Sequence, residues 1–493
     1  MTAAVAPAIS ARRWAPPTLL LCLGAITLVR LWAAAAIPLS EDEAYYRLWA
    51  LHPQLGYFDH PPMIAWWIHA GMTLAGDDPL GVRLIPCLSC LVSSLLVFDL
   101  ARRLGWDEAV AARAAIWCNA TLLIGAGGLL AIPDAASVPF WTLTLWCLAR
   151  TRGGPSPGWW LAAGAAAGLA CLSKYSALFL APGAVLWLAL QPQGLKTLRL
   201  PWPWLAALLA AAIFSVNIAW NAEHHWVSFA KQFGRAAPGR LQPRYELELV
   251  LGQLLLLNPF VAAFVLRALP RWRRAEFGLV LATAAPFAVY LVLHALHDRV
   301  QAHWPVPIYP GLALAAAAAA GSEPMGRALR LVRALAAPFG LGLGALVLAH
   351  AALPQTDWGR RDPADPLRGW PQLAARIEAQ RAASGAAWVG TFSYGVTGQL
   401  SAQGRIAAPV VELVERDRWT MDAAARPDLT RPGLVADLDR RLSAKALAAC
   451  FRQVQPLGVI VRGRGGSSGD RYAAFLVSEP RTDLLAQGCP IAP

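Results

Sequence analysis

The chain has 493 residues, 57% of them hydrophobic and 15% charged, and a formal net charge of +13. Ordinary soluble domains carry roughly 25% charged residues, so the composition excludes one and describes a polytopic membrane protein. The arginines sit in short clusters between apolar runs, without the interleaved aromatics of a nucleic-acid-binding stripe; nucleic acid is excluded as a partner, and orientation in a bilayer explains the charge.

The first apolar run, Thr18 to Leu39, follows Arg12 and Arg13 and so resembles a signal peptide. It continues past Arg30, beyond the roughly 7–15 residues of a signal core, and a retained span is expected. A span needs roughly 20 apolar residues. On that rule the chain has about eleven: 18–39, 79–101, 110–130, 135–149, 158–172, 175–190, 202–220, 246–266, 277–296, 305–321 and 332–353.

Lysine and arginine in the connections alternate with these spans. Arg12 and Arg13, Arg102, Arg103 and Arg113, Arg150 and Arg152, Lys196 and Arg199, Arg267 to Arg274, and Arg327 to Arg333 all fall on one side. The positive-inside rule makes that side cytoplasmic. The other, periplasmic side receives Ser40 to Trp67, the turn at Pro133 to Ala135, Lys174 and Tyr175, the loop from Trp220, and His297 to Pro305. Acids, histidines and tryptophans thus gather at one membrane surface.

In the first outer loop, Glu41, Asp42 and Glu43 precede Tyr45, Tyr46, Leu48, Trp49 and Leu51, a pattern that suits an amphipathic interfacial helix. Ser40 with nearby acids also reads as an N-cap. Asp59 and His60, before Pro61 and Pro62, lead into a second interfacial run, Met63 to Leu74. Asp134 reads as a turn residue or a second acid. Lys174, on the side that normally lacks Lys, either snorkels to lipid phosphate or binds a substrate anion, and Arg30 inside the first span has the same two readings. His224, His225, Lys231, Arg235, Arg240 and Arg244 add charge to a later loop, and Arg299 and His303 complete a set of cations suited to a phosphate.

Carboxylates facing cations at one surface suit transfer of a group from a lipid phosphate to a hydroxyl or amine. One carboxylate takes the acceptor proton, and cations or a metal stabilise the departing phosphate. A transporter would place its polar residues near the midplane, often in repeated halves; the one-surface clustering disfavours that class and a lipid flippase alike.

After Leu353 the composition turns polar, so the chain divides into a membrane domain, 1–353, and a C-terminal domain, 354–493, which parity places in the periplasm. Arg360 to Pro366 reads as a linker. AWVGTF and LGVIVRG read as strands and Leu434 to Phe451 as a helix, giving a small α/β fold. Gly463 to Asp470 lacks the ending of a P-loop and reads as a hairpin tip. Cys450 and Cys489 are placed to pair in an oxidising compartment.

DEAYY at Asp42, GYFDHPPMIAW at Gly56, PDA at Pro133, LSKYSA at Leu172, WNAEHHWVSF at Trp220 and HWP at His303 resemble the bacterial type C glycosyltransferases that use polyprenyl-phosphate sugars. These are related to protein O-mannosyltransferases and to the lipid A aminoarabinose and galacturonosyl transferases. The resemblance covers the chain to about Pro310. It implies an inner-membrane enzyme with a polyprenyl-phosphate sugar as donor and a lipid or glycan such as lipid A as acceptor, a peptide acceptor being the mannosyltransferase alternative. It also implies Asp42 as principal catalytic carboxylate, with Asp134 as second acid and Glu43 beside them. Asp42 and Asp134 would share any divalent cation, Mg or Mn. Lys174, Arg299 and His303 would meet the donor phosphate, with Arg30, Tyr45, Asp59, His60 and Tyr175 lining the substrate site. Aminoarabinose transferases carry Glu-Lys where this chain has Asp59 and His60, which exchanges a fixed cation for a titratable one.

Overall fold

The computed structural model describes residues 15–152, 156–192, 194–234, 240–321, 324–353, 362–421, 427–463 and 469–490. Arg12, Arg13, Arg235, Arg360, Arg361 and the loop tip 464–468 lie outside them.

The chain begins with α1 (Pro17–Ala36), α2 (Glu41–Leu51), α3 (Met63–Ala75) and α4 (Pro79–Arg103). Three of these four starts have a local cause. Pro17 and Pro79 occupy first-turn positions where a missing N–H costs nothing. Ser40 and Glu43 form a reciprocal capping box at α2, and Asp78 caps α4 through Gly81 N. The α3–α4 hairpin closes tightly, since a Cβ on Gly71 would lie 2.2 Å from the Gly81 carbonyl oxygen.

The bundle continues through α5 (Glu108–Asn119), α6 (Leu122–Gly125), α7 (Pro133–Ala149), α8 (Pro157–Ser173), α9 (Leu180–Ala189) and α10 (Gly194–Thr197). It is completed by α11 (Pro201–Glu223), α12 (Val227–Gly234), α13 (Pro243–Leu256), α14 (Pro259–Ala268), α15 (Ala275–Ala295), α16 (Tyr309–Ala319) and α17 (Arg327–Ala352). Gly164 and Gly168 of α8 face the backbone of Ala206 and Ala210 in α11, the small-residue contact by which membrane helices approach closely.

Among the described residues, by length and composition, five helices, α1, α4, α11, α15 and α17, suffice to cross a membrane, and up to seven do so if each bent pair is one span. The bends are 71° between α5 and the 122–129 segment and 107° between α13 and the segment opened by α14. The expected runs 110–130 and 246–266 are therefore broken helices rather than straight spans. Leu21, Leu28 and Leu208 are exposed on the outside of the bundle, where a membrane protein meets lipid. This is a multi-pass membrane protein.

The C-terminal domain packs α18 (Trp370–Ser384), α19 (Tyr394–Ala402), α20 (Ala444–Leu447) and α21 (Leu484–Gln487) with five strands. These are β1 (Val389–Thr391), β2 (Val410–Glu412), β3 (Gly433–Leu438), β4 (Phe451–Val461) and β5 (Arg471–Pro480), in the order β2-β1-β3-β5-β4. β1 is parallel to β2 and β3, and β5 is antiparallel to β3 and β4. The expected helix Leu434 to Phe451 is instead β3, a turn and α20: β3 is central and every residue of it is buried, so its apolar run lacks the alternation that reveals a strand. β4 and β5 are antiparallel neighbours, and the expected hairpin tip at 464–468 lies outside the described residues. Cys450 and Cys489 form a disulfide, with Cα atoms 5.4 Å apart. The described part of the expected linker is anchored, because buried Asp362 binds His350 Nε2 at 2.7 Å and Arg368 Nη1 at 2.6 Å.

Candidate active site

The capping box fixes where α2 begins and therefore where its three acids point. Glu43 turns inward and is fully buried. Arg83 donates to both its oxygens at 2.7 Å, and the backbone N–H groups of Ala131 and Ser40 donate at 3.0 Å. The same guanidinium reaches the carbonyl oxygens of Ala34, Ile37 and Pro38. Burial alone would raise the Glu43 carboxyl, but Arg83 and these hydrogen bonds hold it below its ordinary value. Glu43, expected among the catalytic acids, instead staples the end of α1, the start of α2 and α4; both its oxygens are taken.

Asp42 turns the other way and accepts a hydrogen bond at Oδ1 from the Tyr394 hydroxyl, 3.0 Å away. Asp134 lies in the first turn of α7 after Pro133. Its Oδ1 accepts from Lys174 Nζ at 2.6 Å, and its Oδ2 lies 3.6 Å from His303 Nε2. Lys174 ends α8 in extended conformation, which frees its side chain from the helix to reach Asp134. Burial lowers the His303 imidazole, Asp134 pulls it back, Lys174 pushes it further down, and Asp42 contributes upward; the net direction is down, which leaves it neutral at pH 7. His303 thus lies within electrostatic reach of both carboxylates.

Asp134 and Lys174 each line a cavity. One, about 160 Å³, is lined by His60, Lys174, Tyr175, Phe233, Tyr290 and Trp304. A smaller one, about 50 Å³, is lined by Asp134, His303, Gly128, Cys90 and Ile132. The larger is walled mostly by aromatic rings and has a single ammonium at its edge, a combination suited to an apolar chain that carries an anion.

The other expected site residues divide. Tyr175 contributes a cavity wall while its hydroxyl is held by Asn217 at 3.0 Å and Ser228 at 2.7 Å. Asp59 and Tyr45 are buried and joined at 3.2 Å, and Asp59 is ion-paired with Arg418. Arg30 donates to Asn119 Oδ1 at 3.1 Å and to the Ile124 carbonyl at 2.9 Å; it satisfies backbone freed by the break after α5. Arg299 pairs with Glu248 at 2.9 Å and is largely exposed, so the structure does not bring it into contact with Asp134 or Lys174. Tyr394, Arg418 and Arg83 were not anticipated. The first two come from the C-terminal domain, more than 350 positions from their partners, and carry no local motif. Arg83 had a faint signal, a cation near the start of a span.

Among the described residues no group of three or more His, Cys, Asp or Glu is arranged to hold a metal. Asp134 already holds an ammonium, and Asp42 is bonded to a phenol. The two acids expected to share a divalent cation are thus each engaged at one oxygen, and among the described residues no third such ligand is grouped with them.

The short helices α2 and α3 lie beside the long spans, and Asp134 and Lys174 are brought together near them, an architecture that resembles the type C glycosyltransferase fold. The sequence model described as dolichyl-phosphate-mannose-protein mannosyltransferase matches residues 59–220. The structure resembles the crystal structure of ArnT from Cupriavidus metallidurans bound to undecaprenyl phosphate, with a TM-score of 0.67 at 16% identity over 93% of this chain and 98% of that one. The chain is similar to the lipid A galacturonosyltransferase RgtD of Rhizobium johnstonii, 27% identical over 279 residues, 54% of this chain and 58% of the relative. It also resembles undecaprenyl phosphate-alpha-4-amino-4-deoxy-L-arabinose arabinosyl transferase 1 of Pseudomonas fluorescens, 34% identical over 108 residues, 20% of this chain and 19% of the relative. The chain thus spans little more than half the length of the first of these relatives.

Proposed function

We propose that this protein is a glycosyltransferase that moves a sugar from a polyprenyl phosphate, with inversion, onto a lipid or glycan acceptor such as lipid A, at the periplasmic face of the bacterial inner membrane. The observation that carries this reading is the Asp134–Lys174 pair beside the aromatic-walled cavity, with His303 3.6 Å from Asp134. Similarity to a lipid A galacturonosyltransferase and to an undecaprenyl-phosphate-sugar transferase supports the donor and acceptor classes. The Cys450–Cys489 disulfide supports an oxidising compartment for the C-terminal domain.

The prenyl chain lies along the aromatic wall and its phosphate meets Lys174. The acceptor hydroxyl attacks the anomeric carbon from the face opposite the phosphate. Its oxygen–carbon bond forms as the carbon–oxygen bond to phosphate breaks, and its proton passes to the free oxygen of Asp42. The leaving phosphate takes the electron pair and gains negative charge, which the Lys174 ammonium stabilises. A phosphate monoester is weakly basic, so departure needs no proton donor.

Cells expressing the wild-type chain or Asp42→Asn, compared by mass spectrometry of lipid A, glycans and envelope proteins, test this reading. The expected result is a sugar-sized mass in the lipid or glycan fraction with wild type alone. A mass increment confined to peptides would replace the lipid or glycan acceptor with a protein, and identical spectra in all fractions would contradict the activity.

A further inference from the structure

The C-terminal domain touches the candidate site through one assembly. Ser393 caps α19 by accepting from Val396 N, and buried Asp437 accepts from Phe392 N at 2.7 Å, so the first residue of α19, Tyr394, is held at both sides of its backbone. α19 docks directly on α2: a Cβ on Gly398 would lie 2.7 Å from Tyr45 N, and Gln399 Nε2 donates to the Leu39 carbonyl at 2.7 Å. The Tyr394 ring then packs against Tyr45 at 4.9 Å between centroids, and its hydroxyl reaches Asp42.

Behind Tyr394 lies Arg418. Its guanidinium sits 4.5 Å from the Tyr394 ring centroid, 5.1 Å from that of Phe58 and 5.6 Å from that of Tyr45. It also pairs with Asp59 and, at 2.9 Å, with Glu415. Such a planar cation over several rings fixes their positions in a way an ammonium does not. Asp42, Tyr394, Arg418 and Asp59 therefore form a continuous chain that crosses the domain boundary twice.

We propose that Tyr394 is a positioning residue for the reaction, with Arg418 bracing it: the C-terminal domain supplies the hydroxyl that holds one oxygen of Asp42 and leaves the other facing the acceptor. This rests on the glycosyl transfer proposed above. Burial and the nearby Asp42 raise the Tyr394 phenol, which keeps it protonated and donating. Asp42 without this contact rotates about its side-chain torsion, and the fraction of molecules with the base in line falls.

The test uses the full-length purified chain with a polyprenyl-phosphate sugar and its acceptor. Tyr394→Phe removes only the hydroxyl. The expected result is a fall in kcat of about tenfold or more, the worth of a hydrogen bond to a charged group, with the donor KM and the thermal midpoint unchanged. Arg418→Lys gives a smaller fall of the same kind. Adding Tyr394→Phe to Asp42→Asn lowers the residual turnover no further, since the hydroxyl acts through that carboxylate. Wild-type kcat in Tyr394→Phe, or a full additional loss in the double variant, overturns the inference while leaving the activity in place. An inactive wild-type chain overturns the activity and this inference with it.

Discussion

Two buried acid–base pairs, 40 residues apart in sequence in each case, have opposite surroundings. Glu43 and Arg83 are both fully buried, and the carboxylate oxygens and the guanidinium are bound on every side to backbone as well as to each other. Asp134 lines one cavity and Lys174 another, and among the described residues the second carboxylate oxygen has only His303, at 3.6 Å. A completely satisfied pair has no capacity left for a ligand. A half-satisfied pair beside open space retains it, and this difference, rather than burial or charge, separates the structural ion pair from the one proposed to bind the donor.

The sharpest way to break this comparison is Glu43→Gln. It leaves Arg83 buried without a counter-charge and costs about 3–5 kcal/mol of stability, read as a lowered Tm in detergent. In the wild type the stability that comes from the lowered Glu43 carboxyl is fully present above the ordinary value of 4.5 and is lost as pH falls through the lowered folded value. An unchanged Tm would show that the staple holds nothing.

Lys174→Ala has a smaller effect on stability, because Asp134 retains His303 and an adjacent cavity, but it weakens donor binding about tenfold or more, the worth of a charge-assisted hydrogen bond. Titration with a polyprenyl phosphate measures this, and unchanged affinity would count against the phosphate role. Arg299→Gln is the weakest change expected. Its exposed pair with Glu248 contributes about 0–1 kcal/mol, so Tm and donor affinity stay at wild-type values; a tenfold loss of donor affinity would return Arg299 to the site.

The sequence made the membrane bundle legible because spans are long and breakers are strong, and the polar clusters at one surface marked where the site lies. It also brought out Asp42, Asp134, Lys174 and His303, whose motifs are local. The division of labour between neighbours was not legible. Glu43 and Asp42 differ by one helical step, and the capping box together with the position of Arg83 decides which of them turns inward. Tyr394 and Arg418 act across a domain boundary, and β3, buried on both faces, has the same apolar run as a helix.

The central claim is that Asp42 is the base of a sugar transfer from a polyprenyl phosphate, and it is tested most directly by turnover of the purified Asp42→Asn chain on such a donor with its acceptor. The account predicts product with wild type and a loss of about a hundredfold or more in kcat for Asp42→Asn, the range for removing a general base, with donor affinity and Tm retained. Wild-type turnover by the folded Asp42→Asn chain would contradict it.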